Sequence, residues 1–176
     1  MLGKDHVTDN SGAMFWYAVY TKPRHERKVN TQLIREGMTT FLPEMERWSR
    51  RRDRKKKVSY PIFPGYLFIN TELNNGSRLK VIKTKGVVRI LGTKGVPTPI
   101  PAHQIDAIQK AVDSKNDVSP YPYLKKGQLV RVIGGPLTGV EGIFVSEKGK
   151  GKLIVSVDIL HRSVSVAIEE TNVEPV

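Results

Sequence analysis

The sequence predicts an α+β amino-terminal unit, an antiparallel sheet flanked by helices, followed by a linker and a small all-β barrel. Three observations lead there. Two aromatic and β-branched runs, at residues 15–20 and 60–70, alternate with stretches of helical period. From residue 124 on, β-branched runs recur between Gly-rich turns, and no helical period is left. The charge divides along the same line. Residues 1–114 carry 21 Lys and Arg against 10 Asp and Glu, whereas residues 115–176 carry 8 against 7. The expected divisions are a disordered tail at 1–13, a first domain at 14–114, a linker at 115–123 and the barrel at 124–176.

The tail, M-L-G-K-D-H-V-T-D-N-S-G-A, is polar and lacks the apolar stretch of a signal peptide. F-W-Y-A-V-Y at 15–20 reads as a strand, because aromatic and β-branched side chains suit a half-buried pleated surface. Thr21 is a candidate N-cap for the helix that follows, with Pro23 near its first turn. His25, Val29, Leu33 and Ile34 share one face, and Gly37 closes the helix. Lys22, Arg24, Arg27 and Lys28 crowd its start, where cations oppose the helix dipole. That placement suggests a demand for positive charge from outside.

Residues 39–42 and 44–50 read as short strands, overlapping the basic run R-W-S-R-R-R-D-R-K-K-K at 47–57. Y-P-I-F-P-G-Y-L-F-I-N reads as a buried strand broken at Pro64-Gly65, a turn that re-aims its rings. Residues 76–83, with Leu79 and Ile82 three apart, form a short helix; 87–91 is a strand; 96–101 is an extended proline-rich connection. Pro101 opens a last helix, with Ile105 and Ile108 inward and Ala111 or Val112 closing the face. Residues 113–123 lose periodicity and gain turn residues, as a linker does. Beyond it, 129–133, 140–146, 153–160 and 163–168 are strands that turn at Gly134-Gly135-Pro136 and Gly149-Lys150-Gly151. Alternation places Val164, Val166 and Ile168 inward.

Catalytic patterns are missing. With no cysteine there is no disulfide, thiolate zinc site or cysteine nucleophile. His6, His25, His103 and His161 share no metal-ligand spacing, and no nucleophile completes a triad with Asp158 and His161. There is no phosphate-binding G-x-x-x-x-G-K-[ST] and no carboxylate pair in an apolar setting. A monomeric, non-enzymatic, cytoplasmic protein without metal, cofactor or membrane contact is expected. The positive excess of the first domain points to a polyanion. Trp48 stands among cations, the arrangement that suits one nucleic-acid strand, where bases stack and phosphates pair. Trp48, Arg50, Arg51, Arg52 and Lys55 are therefore candidate nucleic-acid contacts.

Three stretches carry a family resemblance. W-Y-A-V-Y-T-K-P-R-H-E at 16–26 resembles the opening of the NusG amino-terminal (NGN) domain, and P-I-F-P-G-Y-L-F-I at 61–69 resembles that domain's central strand. G-Q-L-V-R-V-I-G-G-P-L-T-G-V-E-G-I-F at 127–144 resembles a KOW motif. Order and spacing match, and together they cover nearly the whole chain after Met14. The basic segment and I-L-G-T-K-G-V-P-T-P-I-P at 90–101 look most like the specialised RfaH-like and UpxY-like antiterminators.

The resemblance implies an NGN-like domain that binds RNA polymerase across the DNA cleft and suppresses pausing or termination, with no bond made or broken. Its contact with the β′ clamp helices would use Tyr17, Tyr20, Phe63, Tyr66 and Phe68. Its contact with the β-subunit lobe would use Ser77, Arg78 and Leu79. The non-template DNA strand would meet Lys22, Arg24, His25 and Lys85. The KOW barrel would recruit Rho or a small-subunit ribosomal protein, and Leu137 stands where its motif often has Phe. The alternative is a ribosome-associated RNA-binding KOW protein. Such a barrel should itself be strongly basic, whereas this one carries almost balanced charge.

Overall fold

A computed structural model describes residues 12–49, 56–114, 116–123, 127–147 and 149–176. In chain order the first part holds β1 (Phe15–Thr21), α1 (Glu26–Arg35), β2 (Thr39–Phe41), β3 (Glu44–Trp48), β4 (Lys57–Pro61) and β5 (Tyr66–Thr71). Then come α2 (Asn75–Lys83), β6 (Val87–Ile90), β7 (Gly92–Thr93), β8 (Val96–Pro97) and α3 (Ala102–Asp113). The second part holds β9 (Val118–Tyr121), β10 (Gln128–Val132), β11 (Glu141–Glu147), β12 (Lys150–Val157), β13 (Arg162–Ala167) and β14 (Val173–Pro175). The α+β architecture with an all-β carboxy-terminal sheet is the one expected.

The first sheet has the order β2-β5-β1-β6, antiparallel throughout. β1 pairs with β5 in the register Tyr17↔Ile69, Ala18↔Phe68 and Tyr20↔Tyr66. The period of two then sorts side chains onto two faces. Tyr17, Val19, Leu67 and Ile69 pack with Val29 and Leu33 of α1 and Val81 of α2. Ala18 and Phe68 pack with Ile62, Phe63 and the α3 residues Ile105, Ile108 and Ala111. Each large side chain so buried contributes about 1.5–3 kcal/mol.

Local details differ from the expectations. The helix N-cap is His25, not Thr21, and no side-chain bond caps it. Thr21 is instead the buried last residue of β1, and its N–H donates to Gly65 O at 2.8 Å, which keeps the chain extended past Tyr20. Ile34 is exposed, so Val29 and Leu33 carry the apolar stripe of α1. In α2 the spacing of Leu79 and Ile82 marks a helix, but both are exposed and Val81 faces inward. The run 60–70 splits at Pro64-Gly65 as expected: β4 forms a separate hairpin with β3, and only β5 enters the sheet. Part of the proline-rich connection pairs as the β7–β8 hairpin.

The carboxy-terminal strands form one antiparallel sheet, β14-β10-β11-β12-β13-β9. Val130, Val132, Leu153, Val155, Val157, Val164 and Val166 are buried along it, and Leu137 joins them. The stretch 115–123 is more than a connection, because Val118–Tyr121 pairs with β13 at the end of this sheet. A Pro at 120 suits an end strand, where a missing N–H costs little. α3 packs on β12, and the cluster containing Phe68 continues through α3 into this second sheet. Residues 1–11, most of the expected tail, lie outside the described residues.

Candidate functional site

The register of β1 and β5 builds an aromatic face. Tyr20 and Tyr66 lie side by side with ring centroids 5.2 Å apart. Phe68 stacks on Phe41 at 6.0 Å and meets the edge of Phe63, also at 6.0 Å. Trp16 contacts Phe41 at 6.4 Å. Phe63 and Phe68 are fully buried, whereas Tyr20 and Tyr66 are half-buried, so the phenylalanines form the floor and the tyrosines the reachable rim. Offset and edge-on ring pairs of this kind add about 0.5–1.5 kcal/mol beyond area burial.

Tyr17 does not join them. It lies among Val29, Leu33 and Ile69 on the opposite face, and burial pushes its phenol above the ordinary tyrosine range. A separation of three residues in a strand necessarily puts Tyr17 and Tyr20 on opposite sides. Trp16, Phe41, Ile105 and Ile108 belong to the aromatic face although they were absent from the expected set. Their signal was available, in the alternation of β1 and the apolar stripe of α3.

The Pro64–Gly65 turn is held at both peptide groups. Thr21 N–H donates to Gly65 O at 2.8 Å, and Gly65 N–H donates to Glu26 Oε1 at 2.7 Å. Gly65 has φ +86°, and a Cβ there would lie 3.2 Å from the Tyr20 ring. Both left-handed backbone and ring contact therefore call for glycine.

The second sheet stands against this face. The Arg162 guanidinium lies 5.3 Å from the Tyr66 ring centroid, within cation–π range. Gln104 and Asp158 bond at two points: Gln104 Nε2 donates to Asp158 Oδ2 at 2.8 Å, and Asp158 N–H donates to Gln104 Oε1 at 3.1 Å. Lys110 Nζ donates to Thr138 O at 3.2 Å. Tyr123 O–H donates to the other Asp158 oxygen at 2.8 Å; burial first, then this bond, raises its phenol above the ordinary range.

Beside the aromatic face lies a basic turn. Lys22 N–H donates to Gly86 O at 2.8 Å, and the His25 ring rests over Gly86. Lys22, Arg24, His25 and Lys85, split between two parts of the sequence, are thus brought together. Lys22, Arg24 and Lys85 are exposed, and Arg24 has φ +63°. Arg89 lies 5.9 Å from the Tyr20 ring and links the basic turn to the aromatic rim.

The other predicted contacts are apart from these. Ser77, Arg78 and Leu79 occupy the first turns of α2, on the helix-covered side of the sheet. Asn74 caps this helix through Ser77 N–H at 2.9 Å, and the Ser77 hydroxyl donates to Glu72 O at 2.6 Å. Arg78 and Leu79 project outward. Trp48 is 63% exposed at the end of β3, with Lys57 Nζ 5.8 Å from its ring. A cleft of about 670 Å³ lined by Met45, Trp48, Tyr60, Pro64 and Pro120 opens between this hairpin and β9. Arg50, Arg51, Arg52 and Lys55 lie outside the described residues. Among the described residues no group of His, Asp and Glu could hold a metal ion, and no helix is long and apolar enough to cross a membrane.

Comparison with known proteins points one way. Residues 14–109 match the family described as transcription termination factor nusG. A transcription termination/antitermination protein NusG from Pseudomonas aeruginosa is 33% identical, over 92% of this chain and 98% of that protein. Its namesake from Halalkalibacterium halodurans is 28% identical over the same shares. A solved structure titled "Domain interaction in Thermotoga maritima NusG" superposes with a TM-score of 0.56 over 93% of this chain and 97% of that one, at 23% identity, a likeness of fold. The matched segment contains the aromatic face, the held turn and the basic turn, and the chain belongs to the NusG family.

Proposed function

We propose that this chain is a transcription elongation and antitermination factor that binds RNA polymerase across the DNA cleft and suppresses pausing or termination. It acts by binding alone. One observation carries the proposal: a single sheet face gathers Tyr20, Phe63, Tyr66 and Phe68, with four basic residues on the adjoining turns. Aromatic anchors over an apolar floor are the groups that dominate protein interfaces. On this proposal Tyr20 and Tyr66 meet the β′ clamp helices, with Phe63 and Phe68 supporting them from below. Tyr17, on the far side, is left out of the contact.

Arg78 and Leu79 on the helix side would meet the β-subunit lobe, with Ser77 holding their turn. Lys22, Arg24, His25 and Lys85 would meet non-template DNA, as would Trp48 and the basic segment that follows it. The second sheet would recruit Rho or a small-subunit ribosomal protein. The basic segment 47–57 and the β7–β8 hairpin support the finer assignment to specialised RfaH-like or UpxY-like factors. The ribosomal alternative is disfavoured by the second sheet, where Arg131 pairs with Glu141 and Lys152 with Glu147, leaving little net charge.

The test is binding of purified RNA polymerase by Tyr20→Ala, Tyr66→Ala and the double variant, with a pausing assay alongside. Truncating an interface anchor costs on the order of 2 kcal/mol, so each single variant should bind roughly 30-fold more weakly. Unchanged binding by the folded double variant would sink the assignment.

A further inference from the structure

We propose that Glu26 is a positioning residue, whose buried carboxylate fixes the Pro64–Gly65 turn and through it the two tyrosines of the docking face. This rests on the docking function proposed above.

Glu26 is the one buried acidic residue among the described residues. It opens α1, where a carboxylate ordinarily serves the exposed N–H groups of its own helix. No side chain at His25 caps this helix, yet the Glu26 carboxylate turns away to Gly65, 39 residues along the chain. A charged acceptor on a buried backbone N–H is among the stronger hydrogen bonds available to a protein. The opposite side of the turn is held by Thr21 N–H, the residue after Tyr20. Gly65 in turn touches the Tyr20 ring and directly precedes Tyr66.

The two rings therefore take their places from one turn, and that turn from one carboxylate. Glu26 follows directly on Lys22, Arg24 and His25 of the basic turn. It ties the start of α1, beside the proposed nucleic-acid contact, to the proposed polymerase contact. Without the carboxylate, Gly65 N–H would be left buried and unpaired, and the turn would shift to reach another acceptor.

The test uses the full chain with Glu26→Ala, Glu26→Gln and Glu26→Asp. Two quantities are read: affinity for RNA polymerase and the Gly65 amide resonance by nitrogen-15 NMR. Glu26→Ala should weaken binding about ten-fold, the scale of a lost charge-assisted bond, and move the Gly65 resonance. Glu26→Gln keeps an acceptor oxygen at the same reach and should restore both readings to within about two-fold of wild type in affinity. Glu26→Asp keeps the charge but falls one methylene short, so it should behave like Ala; it carries the test if Glu26→Ala does not fold. Wild-type affinity in folded Glu26→Ala or Glu26→Asp overturns the proposal, as does failure of Gln to restore binding. If Tyr20→Ala and Tyr66→Ala leave binding intact, the docking face itself is wrong and the positioning role falls with it. The Gly65 resonance separates that failure from a carboxylate that does not hold the turn.

Discussion

At Gly65 two demands coincide, a left-handed backbone and a ring 3.2 Å from where a Cβ would sit. Gly37 has nearly the same φ, +82°, with nothing within 4 Å. The pair separates strain from contact. Gly37→Ala should cost about 1 kcal/mol, the strain alone, while Gly65→Ala should cost about 1–3 kcal/mol and also displace Tyr20. Urea unfolding of both variants checks this, and equal costs would show that the Tyr20 ring moves aside freely. That Tyr17 and Tyr20 lie on opposite faces was legible from the sequence, since they differ by an odd number of strand positions. The role of Glu26 was not legible, because nothing local tells a first-turn acid that serves its own helix from one that bonds a distant turn.

Of the α-helices, α2 is the most lightly anchored, with Val81 as its buried residue and Leu79 and Ile82 turned outward. Val81→Ala should cost about 1–3 kcal/mol of stability, whereas Leu79→Ser and Ile82→Ser should stay within about 0.5 kcal/mol in thermal unfolding. That makes Leu79→Ser a clean probe of the proposed β-subunit contact. For the β3–β4 hairpin, neutralising Arg50, Arg51, Arg52 and Lys55 should flatten the salt dependence of single-strand binding. Each lost phosphate contact removes a slope of roughly 0.7 in a plot of log affinity against log salt. Identical slopes in titrations of wild type and variant would mean that the basic run is only solvated. Sequence pattern found α1, α3 and the long strands, whose periods run over several repeats. It missed β9 and β14, at four and three residues too short to show a period, and their pairing is set by the neighbour strand.

At the scale of the whole molecule, the second sheet sets Arg162 against Tyr66, on the surface proposed to bind polymerase. A binder that must open first pays in apparent affinity, which falls by the fraction of molecules that are open. Asp158→Ala removes the seam bond from Gln104 Nε2, together with the Tyr123 bond inside the second part, and should tighten polymerase binding rather than weaken it. Residues 14–114 alone should bind at least as tightly as that variant. Equal affinities of the fragment and the intact chain, measured by titration, would show that the sheet does not cover the face in solution. The seam should also respond to alkali. The Tyr123 phenol is raised in the folded state, so its stabilisation is fully present below the unfolded value near 10 and is lost as pH rises through the folded value. Tyr123→Phe should remove that dependence, followed by proteolysis of the connecting segment between pH 8 and 11. The change from an α+β part to an all-β part was legible from charge and pattern. Their contact was not, because Gln104, Asp158 and Arg162 look in a sequence like any solvated residue, and the geometry alone makes them partners.

The strand Val118–Tyr121 bears on how far the second sheet can travel. If β9 stays paired with β13, the chain between α3 and this strand is only residues 114–117. Four extended residues reach about 14 Å, which permits a swing about the end of α3 and little more. The released sheet would then linger near the polymerase-bound domain at a high local concentration, and any recruited partner would arrive within that radius. If β9 peels away as well, the tether grows to residues 114–127 and its reach to roughly 50 Å. Four strand residues thus set the length of the leash, and distances between spin labels on α3 and β12 would tell a short hinge from a long one.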